Sequence, residues 1–193
     1  MQSLIVSLRI TLATLLICVV GYSLAILGIA QLVTPDTANG SLITRADGKV
    51  VGSRLIAQKF EQPGYFWPRP SAPDYNASGA AGSNKSPTST DLTERATKLV
   101  ALYGATPDKP LPADLAAASG GGLDPHITEH AALYQAQRVA GARGLSRAQV
   151  DGLIAKQAFS PGGPLTKDRL INVLELNLAL DGEGAPAKAV PSQ

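Results

Sequence analysis

Apolar and polar positions divide the chain near residue 34. Between Ile10 and Val33 every residue is apolar apart from hydroxyl groups and one Gln, and no charged residue occurs from Ile10 to Pro35. As a helix this run is about 36 Å long, more than the ~30 Å hydrocarbon core of a bilayer. Cleavable signal peptides have a shorter apolar region and a small-residue cleavage site, which TPDTANG does not supply. The pattern predicts a short tail over residues 1–9 and an uncleaved transmembrane signal anchor over residues 10–33, with a buried helix of a soluble core as the minor alternative.

The next segment has the pattern of a β-hairpin followed by a long loop. Apolar and β-branched residues flank Asp47-Gly48, a dipeptide that favours tight hairpin turns. Residues 61–90 are dense in Pro, Gly, Ser and Asn. They also hold four of the nine aromatic residues: Tyr65, Phe66, Trp67 and Tyr75. Disordered linkers are poor in aromatics, so this pattern indicates an ordered loop that packs on other elements.

Four helices are predicted after the loop, because apolar residues recur there at spacings of three and four. The first begins at a capping-box pattern, Asp91 to Glu94, and ends at Gly104; the second covers residues 128–142, the third opens at Ser146 to Gln149, and the fourth covers residues 166–180. Their inward positions are Leu92, Ala96, Leu99 and Tyr103; Leu133, Ala136 and Ala140; Val150, Leu153 and Ile154; and Leu170, Val173, Leu174 and Leu178. The predicted fold is a single N-terminal transmembrane helix followed by an α+β soluble domain over residues 34–182, helix-rich in its C-terminal half, with a flexible tail over residues 183–193.

The composition of the chain excludes nucleic-acid binding and cysteine chemistry outside the predicted span. The net charge of +2 is spread along the chain and aromatics are only 5%, so neither a basic face nor a stacking platform for nucleic acid is present. The single cysteine, Cys18, lies in the predicted span. The remainder of the chain therefore has no disulfide and no thiolate nucleophile.

The stretch GAAGSNKS, residues 79–86, is one glycine short of a phosphate-binding loop. Asn84 stands where the glycine before Lys85 is needed. Such a loop also requires a strand before it and a helix after it, whereas RPSAPDYNAS precedes it and Pro87 follows. The stretch is interpreted as a loop without nucleotide chemistry.

A second short motif, HITEH, fits the H-x-x-E-H pattern of zinc proteases through His126, Glu129 and His130. Pro125 places His126 at or before a helix start, and only a carboxylate is left to complete the ligand set. A membrane-anchored zinc metalloprotease is therefore kept only as an alternative function.

The stretch before HITEH, ASGGGLDP, offers backbone amides to an anion or partner. The simpler interpretation is a connection between helices, with Asp124 as the cap and Pro125 at the first helical position.

Six stretches in chain order resemble the C subunit family of Kdp potassium-transporting P-type ATPases: GSRLIAQKF, YFWPRPSA, SGAAGSN, ASGGGLDPHI, YQAQRVAGARGL and INVLELNLALDG. The likeness covers nearly the whole chain after Gly52, and the single span fits it. ASGGGLDPHI followed by RVAGARGL is its most specific part. Three positions depart from the family, which usually has Gly at Ala57, an apolar residue at Lys85 and a small residue at His130.

The resemblance implies a non-catalytic accessory subunit of an ATP-driven potassium importer in a bacterial inner membrane. Such a subunit raises the ATP affinity of the ATP-hydrolysing subunit, as a catalytic chaperone. It has no cofactor of its own, since ATP and potassium are handled by the complex. Its implied partners are the larger potassium-path subunit, the ATP-hydrolysing P-type subunit and membrane lipid, without nucleic acid. A lone anchored binding module is the remaining alternative.

Candidate contact residues follow from the resemblance and from the small residues of the span. For ATP affinity or partner contact they are Ser119, Gly120, Gly121, Gly122, Asp124 and His126. For the subunit interface they are Gly21, Ala25 and Gly28, where small side chains permit close helix approach, and Tyr65, Phe66, Arg69 and Ser71. No catalytic residue and no metal ligand is assigned.

The charges that flank the span are too balanced to fix its orientation. Arg9 lies on one side, while Arg45 and Lys49 lie on the other and are offset by two aspartates. A short N-tail before a long apolar run is typical of signal anchors with an outside domain, so we expect a cytoplasmic N-terminus and a periplasmic soluble domain. The Gly-rich turn, residues 119–122, then acts on ATP affinity only through the membrane subunits. A reversed orientation permits direct contact of this turn with the nucleotide.

Overall fold

A computed structural model of the protein describes residues 1–45 and 47–183, which form two compact units, Met1–Ser53 and a second unit from Arg54 onward. The tail predicted over residues 183–193 lies outside the described residues, apart from the backbone of Glu183. The helices are α1 (Gln2–Leu15), α2 (Tyr22–Val33), α3 (Pro35–Ala38), α4 (Thr90–Tyr103), α5 (Ala113–Ala116), α6 (Glu129–Arg143), α7 (Arg147–Gln157) and α8 (Val173–Glu183). The strands are β1 (Leu42–Thr44), β2 (Val50–Ser53), β3 (His126–Thr128) and β4 (Leu170–Asn172).

The first unit begins with one long apolar helix. Helices α1 and α2 are joined by a π-helical segment, Leu16–Gly21, so that Gln2–Val33 is helical throughout. No residue of this helix is buried within the protein, and in the described part of the chain it is the one helix long and apolar enough to cross a membrane. It begins eight residues before the predicted span.

The first unit ends with the predicted hairpin. Strands β1 and β2 are antiparallel, with Leu42 opposite Ser53 and Ile43 opposite Gly52. Gly48 has a φ of +81°, a left-handed conformation that glycine adopts without steric cost. The Asp47-Gly48 turn signal is therefore confirmed.

The second unit is built around α6, α7 and α8, which pack with the antiparallel β3–β4 pair. The Thr128 hydroxyl caps α6, a reciprocal Ser146–Gln149 capping box opens α7, and Gly144 at φ +67° ends α6. The predicted inward residues of α7 are buried, as are Ala136 and Ala140 of α6. The core also holds Phe66, Leu115, Ile127, Val139, Ile171, Leu176 and Leu180. The α+β, helix-rich class is confirmed.

The fourth predicted helix, over residues 166–180, is wrong in its first half. Leu170–Asn172 form strand β4, paired with His126–Thr128, and α8 starts only at Val173. The Asn172 carboxamide oxygen accepts hydrogen bonds from the backbone N–H groups of Leu174 and Glu175, at 3.1 and 3.2 Å. This cap fixes the helix start, although the apolar residues alone fit a longer helix equally well.

Two predicted caps are also wrong. The first-turn residue Asp91 of α4 does not form a capping box; its carboxylate pairs with Lys85 at 2.5 Å, and Ser89 precedes the helix. Helix α4 has no fully buried residue, and Ala96 on its expected inner face is exposed. Asp124 does not cap a helix either, because a strand separates it from the start of α6 at Glu129.

Candidate functional site

The Gly-rich turn predicted as a contact site is held by two other loops. Its Gly122 N–H donates to the Ser119 carbonyl at 3.1 Å, which closes a tight turn. The Ser119 N–H donates to the Pro70 carbonyl at 3.1 Å, and the Ala81 N–H donates to the Gly121 carbonyl at 3.0 Å. Residues 69–75, 79–84 and 118–126 therefore form one interlocked unit, which we call the loop cluster.

Gly122 is the closest point of contact in the loop cluster. Its φ of +72° lies in the left-handed region, and a Cβ there would lie 2.2 Å from Cδ of Pro73. The Ser71 hydroxyl donates to the Gly122 carbonyl at 2.6 Å and accepts from the Tyr75 N–H at 2.8 Å. In contrast, Gly120 and Gly121 are exposed, and nothing lies within 4 Å of the position of a Cβ. The free surface of the turn is thus limited to these two residues.

Asp124 joins the charged residues of the loop cluster. Its carboxylate lies 3.2 Å from the Arg69 guanidinium, and it accepts from the His126 N–H at 3.0 Å with the ring Nδ1 at 3.1 Å. The hydrogen bond from the His126 side chain holds the pKa of Asp124 below its usual value, and the positive charge of Arg69 adds to the effect. Arg69 also reaches the Ala118 carbonyl. Three of the predicted site residues therefore meet in one ion-pair cluster.

This geometry predicts an acid-sensitive contribution to stability. An aspartate whose pKa is lower in the folded state stabilises the fold above the unfolded value of about 3.9, and this contribution is lost as the pH falls through the folded pKa. We expect the free energy of unfolding of the wild type to fall between about pH 4 and pH 2 by more than that of Asp124→Asn.

Urea unfolding of the full chain in detergent, followed by the fluorescence of its only tryptophan, Trp67, measures this difference. The exposed Asp108→Asn variant is the matched control. Parallel pH curves for the wild type and Asp124→Asn would contradict the assignment.

The predicted aromatic loop is ordered, and buried amides hold its backbone. The Asn177 side chain accepts from the Phe66 N–H at 2.8 Å and donates to the Phe66 carbonyl at 3.0 Å. Gln135 makes the same pair of bonds to Trp67, at 2.8 and 3.1 Å. Both amide side chains belong to buried residues, and the Phe66 side chain has no exposed surface. These two clamps replace the strand partner that an extended segment otherwise requires.

The neighbouring Tyr65 is anchored by its hydroxyl group. This hydroxyl donates to the Asp181 carboxylate at 3.2 Å, and Asp181 also pairs with Arg143 at 2.8 Å. The Arg143 guanidinium lies 4.7 Å from the centre of the Tyr65 ring, and it donates to the Gly64 carbonyl. Of the predicted interface residues of the loop, Phe66 belongs to the core, whereas Tyr65, Arg69 and Ser71 retain partial exposure.

Sequence analysis missed Gln135 and Asn177 as positioning residues. Both lie within stretches that carry the family resemblance, YQAQRVAGARGL and INVLELNLALDG. A polar amide on the buried face of a helix is the signal that could have found them, because such a group requires hydrogen-bond partners. Their partners lie 68 and 111 residues away, beyond the range of local patterns.

The remaining candidates are separated from the loop cluster or from each other. Gly21, Ala25 and Gly28 are exposed along the membrane-type helix, and the surface over Gly28 is open. His126 lies in β3, whereas the Glu129 carboxylate pairs with Arg169 at 2.9 Å and His130 is exposed on α6. Among the described residues no group of three His, Cys, Asp or Glu side chains is arranged to hold a metal ion. HITEH thus does not form a zinc site in this part of the chain.

The stretch that resembles a phosphate-binding loop, residues 79–86, packs against the Gly-rich turn. Gly82 packs against the carbonyl of Gly120, where a Cβ would lie 2.7 Å away, and Asn84 adopts a φ of +47°. Lys85 is paired with Asp91, and the residues directly before the segment, 54–78, contain no strand. The stretch GAAGSNKS supports the Gly-rich turn rather than a nucleotide phosphate.

Comparison with known proteins agrees with these features. The family model KdpC, described as the K+-transporting ATPase c chain, matches residues 4–182. A potassium-transporting ATPase KdpC subunit of Parvibaculum lavamentivorans is 64% identical over 181 residues, which cover 94% of this chain and 97% of the relative. Proteins of the same name from Cereibacter sphaeroides and Dechloromonas aromatica are 48% and 46% identical, covering 90% and 89% of this chain and 94% of each relative. The chain therefore belongs to the KdpC family, the c chains of the K+-transporting ATPase.

Proposed function

We propose that this protein is a non-catalytic accessory subunit of a potassium-importing P-type ATPase, needed for assembly of the complex and for high ATP affinity of its ATP-hydrolysing subunit. The family match over residues 4–182 is the observation that carries the proposal. Its partners are a larger potassium-path subunit and the ATP-hydrolysing subunit. The single apolar helix supports a single-pass membrane protein. Exposed small residues along it, Gly21, Ala25 and Gly28, offer a surface for a neighbouring helix.

The chemistry of the loop cluster supports a binding role over a catalytic one. Ser71 and Asp124 already join the loops to each other through hydrogen bonds, Ser71 to the Gly122 carbonyl and Asp124 to Arg69. Their arrangement lacks the base-activated hydroxyl that a nucleophilic enzyme requires. A rigid turn with exposed amides at Gly120 and Gly121 is instead suited to contact with a partner.

Extraction in mild detergent tests the function. We expect the chain to co-migrate with two much larger membrane proteins and with potassium-stimulated ATPase activity. Migration alone, without this activity, would overturn the proposal.

The orientation belongs to the same proposal, with the N-terminus in the cytoplasm and the second unit in the periplasm. Protease added to intact spheroplasts should digest the second unit. Protection until the membrane is lysed would reverse the orientation and bring residues 119–126 back as direct ATP contacts.

The exposed tip of the Gly-rich turn gives a sharper test of the ATP effect. Gly121→Leu places a bulky side chain where no atom of the domain interferes, so the fold is expected to persist. If Gly120 and Gly121 transmit the increase in ATP affinity, the KM for ATP of the purified complex rises by about fivefold or more in the variant. Fivefold is the lower bound of typical coupling between sites. Gly141→Leu, at an equally open and exposed position on α6, is the matched control. An unchanged KM with intact assembly would remove the tip from the proposed role.

A further inference from the structure

A groove between α4 and the aromatic loop, apart from the Gly-rich turn, is lined mainly by apolar side chains. It encloses about 360 Å³, which is within the range of small-molecule sites. Leu99 and Leu102 of α4 form part of its wall. The wall also includes four aromatic residues, each of them partly exposed: Phe60, Trp67, Tyr75 and Tyr103. This composition favours a ligand that presents apolar groups.

The same groove holds three charged side chains whose net charge is negative. The Lys59 ammonium lies 3.2 Å from the Glu61 carboxylate and 3.3 Å from that of Asp74, so one cation is shared by two anions. Hydrogen bonds to these two acids raise the pKa of Lys59 above its usual value, and the lysine therefore stays protonated at neutral pH. Both carboxylate side chains are 75% exposed, so each can pair with a further cation.

The negative charge reaches the aromatic wall. Burial raises the pKa of Tyr75 to about 12, and the charges of Asp74 and Glu61 add to the effect. The Tyr75 hydroxyl also donates to the Arg69 carbonyl at 2.9 Å, which keeps this phenol in its neutral form. A cation that enters the groove is therefore attracted by the local field, whereas an anion is repelled.

Aromatic rings of this domain already bind cations in two other places. The Arg138 guanidinium lies 3.6 Å from the centre of the Trp67 ring, and the Lys109 ammonium lies 4.6 Å from that of Tyr134. Aromatic rings recognise quaternary ammonium ligands in the same way, because the rings attract the charge while the methyl groups suit an apolar wall. We propose that the groove binds a small organic cation of the alkylated-ammonium class, with Glu61 and Asp74 as its counter-charges.

Lys59 competes with such a ligand, since both cations pair with the same two carboxylates. Loss of the Lys59 charge should therefore strengthen binding, whereas loss of either carboxylate should weaken it. Neighbouring substitutions are thus expected to change the affinity in opposite directions, which a general loss of structure does not produce.

Titration of the full chain in detergent with tetramethylammonium chloride tests the proposal, with the fluorescence of Trp67, the only tryptophan, as the readout. We expect a saturable change that neither potassium chloride at equal ionic strength nor neopentyl alcohol, an uncharged analogue of similar shape, produces. Lys59→Met should tighten binding by about two- to fivefold, and Glu61→Gln and Asp74→Asn should each weaken it by a similar factor. Lys156→Met, at an exposed lysine on α7, is the matched control and should leave the affinity unchanged.

Nuclear Overhauser contacts between the methyl protons of tetramethylammonium and the ring protons of Tyr75 or Tyr103 provide a second measurement. Absence of a saturable response, an equal response to the uncharged analogue, or affinities that are the same in Lys59→Met and Glu61→Gln would overturn the proposal. A Trp67 response to the other subunits of the complex and not to tetramethylammonium would assign the groove to a segment of a partner protein, and it would overturn the proposal as well.

Discussion

Gly122→Ala is expected to destabilise the second unit by about 2–4 kcal/mol, because it combines left-handed backbone strain with overpacking. The added Cβ would meet Cδ and Cγ of Pro73 at 2.2 and 2.7 Å and the Ala81 carbonyl oxygen at 2.9 Å. Neither neighbour is the end of a flexible side chain. The Gly-rich turn must therefore separate from both loops that hold it.

Gly121→Ala is the matched control for this substitution. Its φ is not left-handed and the space around its Cβ position is open, so a change within about 0.5 kcal/mol is expected. Urea unfolding of the full chain in detergent, monitored by Trp67 fluorescence, measures both variants. Equal midpoints for the two variants would show that the contact between Gly122 and Pro73 is not tight in solution.

Gln135→Ala is the second substitution with a large expected effect, about 2–4 kcal/mol. It leaves the Trp67 N–H and carbonyl without the bonds of 2.8 and 3.1 Å, and it removes the acceptor of an Arg138 hydrogen bond at 2.7 Å. Burial already lowers the pKa of Arg138 to about 10. Loss of a hydrogen-bond acceptor at this guanidinium is therefore expected to lower the free energy of unfolding by more than the same loss at an exposed arginine.

Gln137→Ala, two residues along the same helix on its exposed face, is the control and should change stability by no more than about 0.5 kcal/mol. The Trp67 emission of Gln135→Ala is expected to shift to longer wavelength in the folded state, since water reaches the released loop. A destabilised variant with unchanged emission would mean that Gln135 stabilises the helix packing rather than the loop.

Local signals predicted the parts of the fold whose physical causes are local. The Ser146–Gln149 box, Gly144 and the Asp47-Gly48 turn each act within a few residues, and each lies where the sequence indicated. Strand β4 was missed because its residues are defined by a partner strand about 44 residues earlier in the chain. Its two apolar residues fit a helical spacing as well as a strand.

In the candidate site, too, some features are visible in the sequence and others depend on residues far apart in the chain. The glycines of residues 120–122 and the aromatic loop are visible in the sequence because their composition is unusual. The bond between Arg69 and Asp124 joins residues 55 positions apart, and the bonds of Gln135 and Asn177 join still more distant ones. Such pairings form only when segments distant in the sequence pack together, so no spacing rule predicts them.

The hydrogen bonds between Asn177 and the Phe66 backbone can form only late in the synthesis of the protein. Phe66 leaves the ribosome 111 residues before the amide that pairs with its backbone. At about 5–20 residues per second, this interval lasts roughly 6–20 s. During that time the backbone of Phe66 lacks its Asn177 partner, and the apolar Phe66 side chain remains available to chaperones. The core of the second unit therefore closes only after its last helix has been synthesised.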